Sequence, residues 1–142
     1  MADICVDLET YLASIGAVTT LVGAGAAARI FNDVPRDRAA LPFIVLQEVG
    51  GQSMEILTGA AGLAESIFHI YAYAGSRAAA DSLAETIRTA PMQGFRGDMG
   101  ATANVAVTHD DFRLTGIDLT KDKSGGPHRR WTRGTYQLFY DQ

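Results

Sequence analysis

The residues able to do chemistry are few and scattered. The histidines His69, His109 and His128 form no H-x-x-x-H pair, and no C-x-x-C occurs, so no metal-ligand spacing is present. Cys5 is the only cysteine and falls in an N-terminal helical pattern with no base or orienting group near it in sequence. No G-x-S-x-G elbow offers an alternative nucleophile. His109-Asp110-Asp111 is the densest cluster. A hard cation needs roughly six oxygens, and this cluster supplies only a local pair of carboxylates, so it reads as a solvated strand end. Gly23-Ala-Gly contains G-x-G, but it follows a helix instead of a strand and lacks the third glycine of a dinucleotide loop. His69 lies inside an apolar strand and reads as a core or interface histidine. No catalytic, cofactor-binding or metal-binding residue is assigned.

The elements that would position such residues are legible from periodicity. Ile4, Leu8, Tyr11, Leu12 and Ile15 recur at helical spacing over 3–15, with Gly16 as the expected stop and a short helical turn after it over Ala17–Val22. Arg29–Val34 and Phe43–Val49 read as strands. The second is apolar on nearly both sides, which places it centrally in a sheet, and Gly50-Gly51 is expected to break it. Residues 52–61 read as a loop or poor edge strand. Within Gly62–Ala74, Phe68, Ile70 and Ala72 share one face, and Ile67, His69, Tyr71 and Tyr73 the other. Ser76 is an N-cap for a helix whose stripe is Ala80, Leu83, Ala84 and Ile87, ended by Pro91. Gln93–Gly100 reads as turns. Ala103–His109 alternates as a strand, with Ala103, Val105 and Val107 on one side. A short strand near Phe112–Gly116, a polar loop over Thr120–Pro127 and a last strand over Arg130–Tyr140 complete the chain.

Strands and helices mix without βα alternation, so the fold class is α+β: one mixed, mostly antiparallel sheet packed on one side by two helices. The predicted core between them is Phe43, Val45, Ile70, Leu83, Ile87, Val105 and Leu138. At 142 residues, residues 1–142 are expected to form a single domain. Apolar runs fall far short of the ~20 residues of a membrane helix, and the acidic start Met1–Asp7 is no secretory signal. A lone cysteine fits a reducing compartment. The net charge of −4 argues against sequence-independent nucleic-acid binding.

That charge is uneven. Residues 119–133 hold Lys121, Lys123, Arg129, Arg130 and Arg133 against Asp122 alone, a net of +4, which leaves −8 on the remainder. Two readings stand: a segment that contacts the acidic body of a neighbouring copy, or a solvated loop. Trp131 favours contact, since Trp and Arg are enriched at interface hot spots. The candidate interface is therefore Lys121, Lys123, Arg129, Arg130, Trp131 and Arg133, with Met54 and Glu55 as a further patch.

Several stretches, in order along nearly the whole chain, carry a family likeness. They are Ala17-Val-Thr-Thr-Leu-Val-Gly, Arg29-Ile-Phe with Val34-Pro35, Leu41-Pro-Phe-Ile-Val-Leu-Gln, and Tyr71-Ala-Tyr-Ala. The helix Ala78-Ala-Ala-Asp-Ser-Leu-Ala-Glu-Thr-Ile-Arg, Gly94-Phe-Arg-Gly and Tyr136-Gln-Leu-Phe-Tyr follow. The layout resembles the tail terminator, or tail completion, proteins of long-tailed bacteriophages and phage-like gene transfer particles. The stretch at 119–128 is long for that pattern. The resemblance implies a structural virion protein, not an enzyme, with no cofactor. It implies a homo-oligomer, a hexameric ring, that terminates the tail tube and joins it to the head-side connector. The implied partners are the tail tube protein and the head-side connector or stopper protein, with DNA passing through the ring without specific binding and no membrane involved. The implied location is the tail end at the neck of a virion, assembled in the bacterial cytoplasm. Two alternatives stand beside it: another neck or connector component, and a small cytosolic enzyme or ligand-binding domain. A concave pocket holding two or more polar groups of perturbed pKa would mark the latter.

Overall fold

Apolar residues at helical spacing and strands with apolar residues on one or both faces have to bury their surfaces together, and the computed structural model shows how. It describes residues 3–24, 27–34, 40–56, 59–109, 113–118 and 129–141, with the backbone alone for 52–63 and 118. The order is α1 (Ile4–Ala13), α2 (Gly16–Val22), β1 (Ile30–Asn32), β2 (Phe43–Ile56), β3 (Gly59–Ala74), α3 (Arg77–Ile87), β4 (Arg96–Met99), β5 (Thr102–His109), β6 (Leu114–Asp118) and β7 (Arg129–Asp141).

The helices begin where capping chemistry allows. The Asp3 carboxylate accepts from the Cys5 N–H at 2.9 Å, and the Ser76 hydroxyl accepts from the Ala79 N–H at 3.2 Å. Gly16 is not a stop: α1 closes at Ala13–Ser14, and Gly16 opens α2, bent 85° from α1. Pro91 does not end α3 cleanly either. Having no N–H, it cannot donate to the Ile87 carbonyl, and the chain widens into a π turn over Arg88–Met92 closed by Gln93 N–H to Arg88 O at 2.7 Å.

The strands form one sheet in the order β1-β2-β3-β7-β5-β4, with β6 also on β7 beside β5. Only β1–β2 is parallel among the described pairs. The sheet curls, so that α1 touches β1 and β2 at one edge and β4 at the other, while α3 lies across β3 and β7. Three helices, not two, fill its inner face. The core there joins Leu8, Leu12, Val18 and Val22 to Ile44, Leu46, Phe68, Ile70, Leu83, Ile87, Val105 and Leu138.

Four further expectations change. Gly50-Gly51 does not break β2. A bulge between Glu48 and Gly50 absorbs it, and β2 and β3 run on as one hairpin through residues 52–61. Residues 96–99 of the expected turn region pair with β5 as β4. In β5, Asn104 has φ 54°, which resets the alternation, so Thr102 is buried and Ala103 exposed beside buried Val105 and Val107. The seven predicted core residues are all buried, but Phe43 and Val45 point away from the helices. Their neighbours Ile44 and Leu46 face inward.

Candidate assembly surface

The outward direction of Phe43 reveals a second apolar layer, on the sheet face that no described helix covers. Strand pairing places Phe31, Phe43, Val45, Ile67, His69, Tyr71, Tyr73, Trp131 and Arg133 there, on four adjacent strands. The rings interlock. Phe43 stacks on Tyr73 at 4.7 Å with 15° between planes, and Phe31 closes on Phe43 at 5.8 Å. Tyr71 meets the edge of Trp131 at 5.4 Å and His69 at 6.3 Å. The Arg129 guanidinium lies 5.9 Å from the Phe43 ring centre and 6.0 Å from that of Tyr73, within cation–π range. Phe43 is sealed by these neighbours, whereas Phe31, Tyr71, Tyr73 and Trp131 remain half-exposed.

Trp131 owes its place to Gly116, its partner on β6. A Cβ at Gly116 would stand 2.4 Å from Trp131 Cζ2, so the indole lies flat over backbone that only glycine leaves open. Arg133 sits beside His69, whose pKa is pushed below its ordinary value first by burial and then by that guanidinium. Arg133 Nε is buried with no hydrogen-bond partner among the described residues.

The described part of the basic segment is divided between two faces of the sheet. From Arg129 on it is strand β7, and β7 alternates. Arg129, Trp131 and Arg133 share the outer face, while Arg130 falls on the helix side. There it lines an open cleft of about 460 Å³ with Arg77, Thr115 and Ile117. Lys121 and Lys123 lie outside the described residues, as do Asp110, Asp111 and His128. Met54 and Glu55 sit at the end of the β2–β3 hairpin, at a register shift.

The other strongly shifted titratable groups are held by contacts within the subunit. Glu85 takes Arg88 Nε at 3.2 Å and the terminal nitrogens of Arg88 and Arg113; these two arginines pull its pKa down to about 2. Burial pushes Tyr136 up to about 12. Tyr136 lines a cleft of about 330 Å³ with Ile70, Ile87 and the two arginines that hold Glu85. Each shift moves its group away from neutral pH, the opposite of what acid–base catalysis needs. Burial, followed by the facing Glu48 carboxylate 3.4 Å away, pushes the Cys5 thiol up to about 12, far from a thiolate nucleophile. Among the described residues no group of three His, Cys, Asp or Glu is placed to hold a metal ion, and no single helix is long and apolar enough to cross a membrane.

The outer aromatic layer was the part that sequence reasoning missed as a site. Its signal was there: β2 and β3 are apolar on both faces, which one layer of helices cannot explain.

Comparison with known proteins bears on the fold and the family. A chain in the virion of a native gene transfer agent particle shares the fold, with a TM-score of 0.66 at 16% identity, over 94% of this chain and 90% of that one. No curated protein matches. The family described as tail completion protein gp17 matches residues 6–135. The chain thus belongs to the tail completion protein gp17 family, as a structural protein of a phage-type tail.

Proposed function

We propose that the chain assembles as a hexameric ring at the head-side end of the tail tube, where it stops tube growth and offers a joining surface to the head-side connector or stopper. DNA passes through the opening without being read. Assembly takes place in the bacterial cytoplasm, and the ring stays in the virion at the neck. The observation that carries this is the half-exposed aromatic layer on the outer sheet face, joined to membership of a tail completion family. A monomer gains nothing by leaving Phe31, Tyr71, Tyr73 and Trp131 partly wet, whereas an assembly buries them. One kind of subunit closes into a ring only through two different, complementary surfaces, and six copies close if each turns by about 60°.

The reading is tested by mixing the purified chain with growing tail tubes and imaging them by negative stain. Rings on one end of tubes of fixed length are expected. Tubes that elongate equally with and without the chain, together with a chain that stays monomeric in sedimentation, refute it.

A further inference from the structure

Taking the ring reading as given, we infer that the outer aromatic face of one copy seats the acidic α1 side of the next. The occupant is thus a second copy of this chain, bound through a different surface of it.

Complementarity of charge carries the argument. The outer face carries Arg133 beside His69 at its centre. Arg133 makes no salt bridge among the described residues, and its Nε is buried without a partner. Such a cation in an aromatic setting calls for a carboxylate from outside the subunit. The opposite side of the molecule offers several. Asp3, the N-cap of α1, and Glu48, which faces Cys5, are exposed there, while Asp7 and Glu9 of α1 are half-buried and accept from Thr102 and Asn32 of their own subunit. None of the four is in a salt bridge among the described residues, and no Lys, Arg or His occurs before Arg29. Exposed apolar side chains accompany them, Val6 on α1 at 52% and Val49 next to Glu48 at 45%. One side is thus aromatic and basic, and the other aliphatic and acidic.

The position of the two surfaces fits as well. The outer face belongs to the middle of the curled sheet, and α1 bridges its two edges, so they lie on different sides of one subunit. Self-pairing of either surface would set like charges together, which disfavours a two-fold dimer and favours head-to-tail closure. The size suffices too. Strands β2, β3 and β7, spaced ~4.8 Å apart over about seven residues of ~3.4 Å each, with the shorter β1 and β6 at their sides, present roughly 450 Å² in projection, the order of a standard footprint of ~800 Å² of accessible surface per partner.

The test uses two single-cysteine chains in a Cys5→Ser background, checked for folding by circular dichroism. One carries Val6→Cys on α1 and the other Gln137→Cys, an exposed outer-face position on β7. A short bismaleimide is added under conditions where rings form. Cross-links are expected only between unlike chains, and a chain carrying both cysteines should give a ladder ending at the ring. Tyr71→Glu in the Gln137→Cys chain should abolish the unlike dimer while its circular dichroism stays native. Rings that cross-link like with like, or not at all, overturn this inference and leave the ring reading standing. Cross-linking of Gln137→Cys to the tube protein in place of a second copy overturns it too. A folded chain that never oligomerises, with or without tubes, overturns the ring reading and this inference together.

Discussion

Gly116→Ala is a one-methyl test of the outer face. The new Cβ would stand 2.4 Å from Trp131 Cζ2 and 2.6 Å from Cε2. Carbon atoms pack at ~3.5–4.0 Å, so the indole has to retreat by about 1 Å or more. Gly116 does not lie in the left-handed region, so the effect is steric and owes nothing to backbone strain. Overpacking of this kind costs about 1–3 kcal/mol, part of it from the loosened edge contact with Tyr71 at 5.4 Å. For a chain of this length that is a fall in Tm of roughly 2–12 °C. Trp131 is the only tryptophan, so its emission reports the displacement directly and should shift to the red. Two other glycines calibrate the scale. Gly134→Ala brings a Cβ to 3.0 Å from Tyr136 Cε2 and should cost less; Gly16→Ala meets nothing within 4 Å and should be neutral or slightly stabilising. If Gly116→Ala leaves emission, Tm and ring formation unchanged while Gly134→Ala does not, the seating of Trp131 is wrong.

Further predictions concern the core, the half-buried thiol, the Glu85 carboxylate and the split arginines. Leu83→Ala, at a position 2% exposed between α3 and the sheet, should cost about 2–5 kcal/mol in a denaturant melt; a loss under ~1 kcal/mol would refute the packing of that helix face. Cys5, with its pKa raised to about 12, should react with iodoacetamide at pH 8 far more slowly than a free thiol, and Glu48→Gln should speed it; a free-thiol rate in the parent contradicts the burial. Glu85 has a folded pKa below its unfolded one, so its contribution to stability is present above the ordinary value of 4.5 and is lost as the pH falls towards about 2. Acid titration of stability in Glu85→Gln should therefore lack that part of the slope, and an unchanged curve refutes the two-arginine contact. In an assembly assay Arg133→Glu should weaken ring formation more than Arg130→Glu, since β7 puts only Arg133 on the aromatic face; equal effects would mean that the segment acts by charge alone.

The class of the fold was legible because period and capping residues are local. Ser76 caps α3, and its Leu83–Ile87 stripe faces inward, as the spacing requires. The β3 alternation also holds, with Phe68, Ile70 and Ala72 inward. What was not legible depends on tertiary pairing. Gly50-Gly51 reads as a break in one strand, yet with β3 alongside it becomes a bulge in a longer hairpin. The sheet edge β4 is three exposed residues before buried Met99, with no apolar alternation, and only β5 makes it a strand. Phe43 illustrates the hardest case. Hydrophobicity predicts its burial correctly but not the side, because that depends on which neighbour of Ile44 the helices meet. A charge sum over 119–133 likewise takes no account of alternation, which puts Arg130 on the other face from Arg129 and Arg133.

That alternation ties assembly to folding. On β7, Thr132, Tyr136 and Leu138 face the helices, and Thr132 Oγ1 donates to Asp81 of α3 at 2.6 Å. The intervening Trp131 and Arg133 face outward. A slip of one residue would exchange the two sets, burying the arginine under α3 and exposing Leu138. The outer layer draws Phe31, Phe43, Tyr71, Gly116 and Trp131 from five separate strands, so it does not exist in an unfolded chain. Recruitment into the proposed ring then requires a chain whose sheet is already in register. The two classes of variant should separate on this point. Leu83→Ala should lower assembly only in proportion to the folded fraction, and recover when the temperature is dropped. Gly116→Ala should lower assembly even where circular dichroism shows the chain fully folded.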